Sequence, residues 1–470
     1  MGAIRDLFRH PDELVAMVQY KLKARQAEKE TKRPGRAPVR PGSREFCYGI
    51  LKDVSRSFAL VIMELAEDLR DPVCIFYLVL RGLDTVEDDT AVDPDVRVPL
   101  LREFYKKIDQ EGWTLDGFGT NHYLRLLQGF DRVIDCFRAL EPKYQAVIRD
   151  ITRMMGAGMA DHVRDEACVT IADYDLYCHY VAGLVGVGLT RMFVESGNED
   201  PYLLNREDLS NSMGLFLQKT NIIRDYLEDM NEARTFWPSE IWSRFGNELG
   251  DFQNPEKRDD AVACLNAMVT DALRHVPDCI EYMVRIRNEH VFNFVAIPQV
   301  MAIGTLAECF NNPMVFEGVV KLRRGLTAKL VLRTKAMPAL FRLYFDFANV
   351  MLKKLEPSDP SASATRTSLN QVVELSLPHV PGTPDLTVPN GAAVVVFAVL
   401  SFYLLGRRGA GDGIEVGSRR TGQLPSLGDI AAMSALFLAI SYLLTFFGLQ
   451  YVKPTRRTIT INEGPVRYQS

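Results

Sequence analysis

A chain of 470 residues, 47% hydrophobic and 24% charged, is long enough to bury a large core and too apolar to stay unfolded. Its net charge of −5 gives no electrostatic footprint for nucleic acid. Eight cysteines without a CxxC pair and seven histidines without HExxH remove the common zinc signatures, and no secretory signal is read at the start, so reduced thiols in a cytosol-facing domain are expected.

Residues 1–45 read as a polar arm, with one amphipathic stretch from Asp12 to Arg25 followed by the basic, proline-rich run KRPGRAPVRPGSR, which cannot continue a helix. From Phe46 the pattern turns helical: Phe46, Ile50, Val54 and Phe58 recur every four positions. Periodicity of this kind continues to residue 356 without an evident Pro/Gly/Ser-rich break, so 46–356 is expected to be one all-α domain. Ser55, Arg56 and Phe58 lie in the run VSRSF, which suits a capped or exposed segment as well as a ligand-holding one.

The run LRGLDTVEDD (80–89) is sharper. Helical winding puts Tyr77, Arg81, Asp84 and Asp88 on one face and Val79, Leu83 and Val86 on the other. Asp93 to Pro99 is turn-like, and helices are expected over about 97–109, 121–139 and 142–166. A small-residue helix follows, DYDLYCHYVAGLVGVGLTRMF (173–193), whose glycines do not make GxGxxG and suit close approach of a bulky chain or another helix. Tyr177 and Tyr180 in it are core aromatics on the plainest reading.

The stretch FLQKTNIIRDYLEDM (216–230) repeats the first pattern: Gln218, Asn221, Asp225 and Asp229 share one stripe, Phe216, Ile223, Leu227 and Met230 the other. A lone DxxxD is usually a solvated helix face. Two such faces, each with a neighbouring arginine, Arg81 or Arg224, and an apolar back, suggest opposing walls of one cavity that holds magnesium and a diphosphate, because Mg²⁺ favours one or two carboxylates plus water and substrate phosphate. Cations there would neutralise the diphosphate as its C–O bond breaks, leaving an allylic cation.

The run ARTFWPSEIW (233–242) is a break and helix restart, with Ser239 as a possible cap and Arg234, Phe236 and Trp237 in a lid or a packed loop. Residues 255–290 are amphipathic. FNFVAIPQVMAIGTLA (292–307) is a buried helix with Pro298 inside, from which Phe294 and Gln299 can face a cavity. KLRRG (321–325) is a basic cluster, by default solvated. Residues 357–390 read as a linker, 391–406 as a short apolar segment, 430–449 as a transmembrane helix of twenty uncharged residues, and 450–470 as a polar tail. Basic residues flank both sides of 430–449, so the number of crossings stays open.

The two aspartate-rich motifs, with VSRSF, YCHYVAGLVG (177–186), FNFVAIPQVMA (292–302) and KLRRG in this order, closely resemble the squalene synthase branch of the squalene/phytoene synthase family over roughly residues 40–350. The resemblance implies a class I isoprenoid synthase helical bundle around a central cavity. It implies Mg²⁺-dependent head-to-head condensation of two farnesyl diphosphates to presqualene diphosphate, then reductive rearrangement to squalene with NADPH, the commitment to sterol synthesis. Asp84, Asp88, Asp225 and Asp229 would bind Mg²⁺, and Arg56, Arg81, Arg224, Lys321 and Arg323 the diphosphates. Ser55, Phe58, Tyr77, Gln218, Asn221 and Phe294 would line the substrate path, with Tyr177 catalytic in the first half-reaction. Lys321, Arg323, Asn221 and Gln299 would hold the cofactor. A monomeric catalytic domain, anchored by its C-terminus to the endoplasmic reticulum membrane and facing the cytosol, completes the expectation. Two alternatives stay open: a phytoene-synthase-type enzyme that stops before reduction, and a membrane-tethered helical scaffold whose acidic stripes are interaction surfaces.

Overall fold

The computed structural model describes residues 11–30, 39–165, 168–232 and 234–380; the segments 391–406, 430–449 and 450–470 lie outside the described residues. Within them there are nineteen α-helices and no strand, as the apolar periodicity demands. In chain order the first eight are α1 (Pro11–Glu30), α2 (Ser43–Val54), α3 (Arg56–Glu64), α4 (Glu67–Asp88), α5 (Pro94–Lys107), α6 (Asn121–Gln128), α7 (Phe130–Arg138) and α8 (Pro142–Asp165). Then come α9 (Ile171–Cys178), α10 (Leu184–Glu195), α11 (Glu207–Arg224), α12 (Tyr226–Asn231) and α13 (Ser239–Trp242). The last six are α14 (Arg258–Leu273), α15 (Val276–Arg285), α16 (Glu289–Cys309), α17 (Arg324–Arg333), α18 (Met337–Lys354) and α19 (Ala362–Ser376).

Helix α11 runs through the middle, packed on α10, α14, α15 and α16. Its crossing with α10 is set by two glycines. A Cβ on Gly186 would stand 2.2 Å from the Ser210 carbonyl oxygen, and one on Gly214 equally close to that of Ala182. Backbone there meets backbone, so the small-residue stripe serves a second helix. Helix α16 is long and apolar enough to cross a membrane, yet 83% of its most apolar stretch is buried inside the protein, with Pro298 in its interior. It is the core helix its composition suggested.

Four expectations change. Asp93 to Pro99 is no turn: Asp93 accepts from the Asp95 amide, caps α5, and Pro99 lies inside that helix. Residues 357–390 are not simply a linker, because 362–376 form α19, which buries Thr365, Leu369, Val372 and Ser376 and bonds Thr365 to Thr270 at 2.6 Å. Serine and threonine in its first turns mask that helical face in composition. The arm of residues 1–45 contains α1, docked on α17 through Asp12–Lys329 (2.5 Å) and Glu13–Arg323 (2.8 Å). Ser239 is not a cap; its hydroxyl donates to the Val169 carbonyl, and Pro238 precedes the helix.

Candidate functional site

Helix α4 ends in the first acidic run. Val79, Leu83 and Val86 are fully buried behind it, which turns Arg81, Asp84, Glu87 and Asp88 toward a cleft. Across that cleft stands the second run. Asp225 interrupts it, closing α11 with φ −94° and ψ 14° before α12 begins, although the amide of Asp225 still donates to Asn221 and that of Asp229 to Asp225, both at 2.9 Å. The buried Tyr226 fixes this joint by donating to the Leu249 carbonyl at 2.6 Å. The expected single helix is thus two helices in near-continuous winding, and its acidic stripe survives.

Asp84, Asp88, Asp225 and Asp229 line the same cleft, with Glu87 and Glu228 beside them and Arg81, Arg224 and Arg234 among them. Six carboxylates face three guanidinium groups. Burial pushes the Asp84 carboxyl up to about 6 against the pull of Arg81, and that of Asp229 up to about 7 against the pull of Arg234. Burial also raises Glu87 and Asp88. Burial is the larger cause in each, and a cation brought beside such carboxylates would favour their charged form. Among the described residues no three carboxylate, thiol or imidazole groups converge as a ready-made metal cage. Such a donor set, one or two carboxylates from each wall with room between, suits Mg²⁺ completed by water and phosphate oxygens rather than a metal enclosed by protein.

The cleft opens into an apolar chamber of about 230 Å³, far more than the roughly 10–15 Å³ that one water needs on the same measure. Arg81, Asp84, Gln218 and Asn221 line both spaces. Phe58, Tyr77, Leu189, Met213, Phe294 and Pro298 are among the residues that form the chamber wall. Phe294 meets Phe193 edge-on at 5.9 Å and Phe58 stacks obliquely on Tyr77 at 5.5 Å. Gln299 also reaches the chamber; its amide donates to the Met213 carbonyl at 2.8 Å while its own oxygen, buried, has no protein partner.

Tyr177 lies on the cleft wall, 7% exposed. Its ring packs against His162 (4.3 Å, tilted) and Phe236 (4.9 Å, nearly parallel), which are themselves 6.1 Å apart, so the three rings form one cluster. Burial first, then Glu87 and Asp88, hold its phenol well above the ordinary value, so it keeps its proton. Directly after it the helix widens into a π-turn, His179–Gly183, where the Leu184 amide donates to the His179 carbonyl five residues back. π-Turns inside helices commonly mark functional positions.

Other expected site residues fall elsewhere. Ser55 caps α3, its hydroxyl accepting from the Phe58 amide at 3.3 Å, and lines neither space. The side chain of Arg56 lies outside the described residues. Arg224 is on the cleft but engaged by its neighbour Asp225, Nε to Oδ1 at 2.7 Å and Nη2 to Oδ2 at 2.5 Å. Lys321 is exposed and Arg323 is paired with Glu13; neither lines the cleft or the chamber, whereas Asn221 and Gln299 do. The first-turn carboxylates of α1 take Arg323 and Lys329.

Sequence reasoning left Arg234 and Phe236 undecided between lid and packed loop, and both prove to be cleft residues. It missed Lys219 altogether. This lysine, 0% exposed, lies behind α11 with Asp175 at 2.5 Å and in contact with Asp271, both also paired with Arg274. The available signal was its place between Phe216 and Ile223 on the buried stripe, where a charge needs a partner.

A family model described as squalene/phytoene synthase matches residues 51–325. A squalene synthase of Solanum lycopersicum is 51% identical over 377 residues, covering 80% of this chain and 89% of the relative. Squalene synthase LSS of Botryococcus braunii is 49% identical over 379 residues, covering 79% and 80%. Among solved structures, a complex of TcSQS with the ligand BPH1237 superposes with a TM-score of 0.70 at 44% identity, covering 71% of this chain and 98% of that one.

Proposed function

We infer the chemistry from one premise: this chain belongs to the squalene/phytoene synthase family. It acts as a farnesyl-diphosphate farnesyltransferase that joins two farnesyl diphosphates head to head and carries the product to squalene. The observation that supports this most is the continuity of an acidic, arginine-studded cleft with an apolar chamber through Arg81, Asp84, Gln218 and Asn221, because an ionising prenyl diphosphate needs both at once.

Magnesium, when bound, supplies the positive charge that makes diphosphate a competent leaving group; Asp84, Asp88, Asp225 and Asp229 are the residues that would hold it. Arg81 contributes a guanidinium at the boundary of the two spaces, in reach of a diphosphate whose chain points inward. Phe58, Tyr77 and Phe294 exclude water from the cationic carbon skeleton and offer it ring faces. Tyr177, neutral through burial, can relay: its oxygen takes the proton lost when the cyclopropane closes as its own proton passes to the departing diphosphate, which ends with that proton. NADPH is proposed as reductant on the family's footing. We likewise place the enzyme at the endoplasmic reticulum membrane, held by the apolar run 430–449 with its catalytic domain in the cytosol.

Incubation of the full chain with Mg²⁺ and radiolabelled farnesyl diphosphate tests this. Squalene should form with NADPH and presqualene diphosphate should accumulate without it. A product pattern indifferent to NADPH would instead support an enzyme that stops before reduction.

A further inference from the structure

Arg234 is the one guanidinium that touches both walls of the cleft among the described ion pairs. Its Nη1 donates to Asp88 at 2.8 Å and its Nη2 to Asp229 at 2.9 Å, with Glu232 a further 2.8 Å partner of Nη2. Asp88 ends α4 and Asp229 lies in α12, so this side chain ties together two elements 141 positions apart in sequence. Its backbone is fastened too: the Arg234 amide donates to the Asp229 carbonyl at 2.9 Å. The next ring, Phe236, lies 5.9 Å from the guanidinium carbon and stacks on Tyr177 at 4.9 Å, and Trp237 follows, buried, with its indole nitrogen donating to the Ile222 carbonyl.

We propose that Arg234 is a resident counter-ion, spanning the two acidic walls until metal arrives and giving up Asp88 and Asp229 to it. The argument is one of competition. A carboxylate oxygen that coordinates Mg²⁺ at about 2.1 Å cannot keep a short hydrogen bond to guanidinium in the same direction, and two like charges so close repel. The cleft's excess of carboxylates explains why a cation must be stationed there in the metal-free protein: the walls would otherwise repel across the cleft. Its release has a built-in consequence, because the segment that carries the guanidinium also carries the ring lying on Tyr177. Metal entry thus loosens or shifts the Phe236 cover, and the catalytic phenol changes surroundings only when the cations are in place. Arg234 is in this sense a positioning residue.

The inference rests on the reading of the four aspartates as metal ligands, and the test separates the two. Mg²⁺ binding to the full chain without substrate is measured by calorimetry in wild type, Arg234→Gln, Arg234→Lys and Asp225→Asn. Asp225 pairs with Arg224 and not with Arg234, so loss of Mg²⁺ binding in Asp225→Asn tests the metal reading alone. With that control in hand, Arg234→Gln should bind Mg²⁺ about tenfold more tightly than wild type, with Arg234→Lys between them. In a chelator Arg234→Gln should melt about 2 °C or more below wild type, and saturating Mg²⁺ should erase the difference. Mg²⁺ should also change the tryptophan emission of wild type in a background of Trp113→Phe and Trp242→Phe, and change it less in Arg234→Gln. Equal or weaker Mg²⁺ binding by Arg234→Gln, or an unchanged melting temperature in chelator, would overturn the proposal while leaving the metal site standing.

Discussion

Helix α11 and its continuation α12 carry charge on two sides, and the two clusters are opposites. Behind the helix, Lys219 and Arg274 meet Asp175 and Asp271, two against two, and the lysine is sealed from solvent. In front, six carboxylates face three arginines in a cleft open to solvent. A completed cluster has no demand left and serves to hold helices α9, α11 and α14 in register. An incomplete one is a standing requirement for cations. Charge balance, more than burial or acidity alone, separates the structural cluster from the site.

The strongest way to break that contrast is to neutralise one carboxylate in front. Asp84→Asn or Asp225→Asn should lower squalene formation by about a thousandfold, about 4 kcal/mol of lost transition-state stabilisation, while the metal-free variant melts no lower than wild type. A melting temperature that collapses with the activity would make the front cluster structural as well. Behind the helix the same class of change should act in reverse. Lys219→Met leaves Asp175 and Asp271 without their buried cation and should destabilise the fold by about 3–5 kcal/mol, seen as a lower denaturant midpoint. A variant as stable as wild type would show that the back cluster is dispensable.

A smaller effect sharpens the comparison by pH. His275 lies beside the back cluster, and burial, with Lys219 and Arg274, depresses its imidazole to about 3. The unfolded chain takes up this proton near 6.5 and the folded one does not, so stability present above pH 6.5 is lost as pH falls toward 3, by about 1.4 kcal/mol for each pH unit. His275→Gln should remove about one proton from the uptake on unfolding between pH 4 and 6. An unchanged proton uptake would mean that the imidazole is protonated in the fold.

The difference between the clusters also explains what could be read in advance. The front cluster is written twice in local spacing: Asp84 and Asp88, Asp225 and Asp229 lie four apart with apolar residues behind them, so helix geometry alone aims them. Phe294 and Gln299 followed from one apolar run in the same way. The back cluster joins positions 175, 219, 271 and 274, and no local pattern announces that pairing. The same holds for Arg323, whose partner Glu13 is 310 residues away, a docking contact for α1 that no local pattern announces. Ser55 shows a second use that spacing could not separate from the first: its hydroxyl accepts from the Phe58 amide of its own helix start, which leaves its proton to donate. Local periodicity fixes which way a side chain points; what waits for it there is a property of the tertiary fold.

The π-turn at His179–Gly183 has one more effect. One added residue in a helical circuit offsets everything after it by about 100°, so Tyr177 upstream and Gly186 downstream need not obey a common winding. The phenol can be aimed at the cleft while the glycine is aimed at α11, two demands that a regular coil of this sequence would set against each other. An irregularity in the hydrogen-bond ladder is what lets one continuous rod serve both the reaction and a close helix crossing beside it.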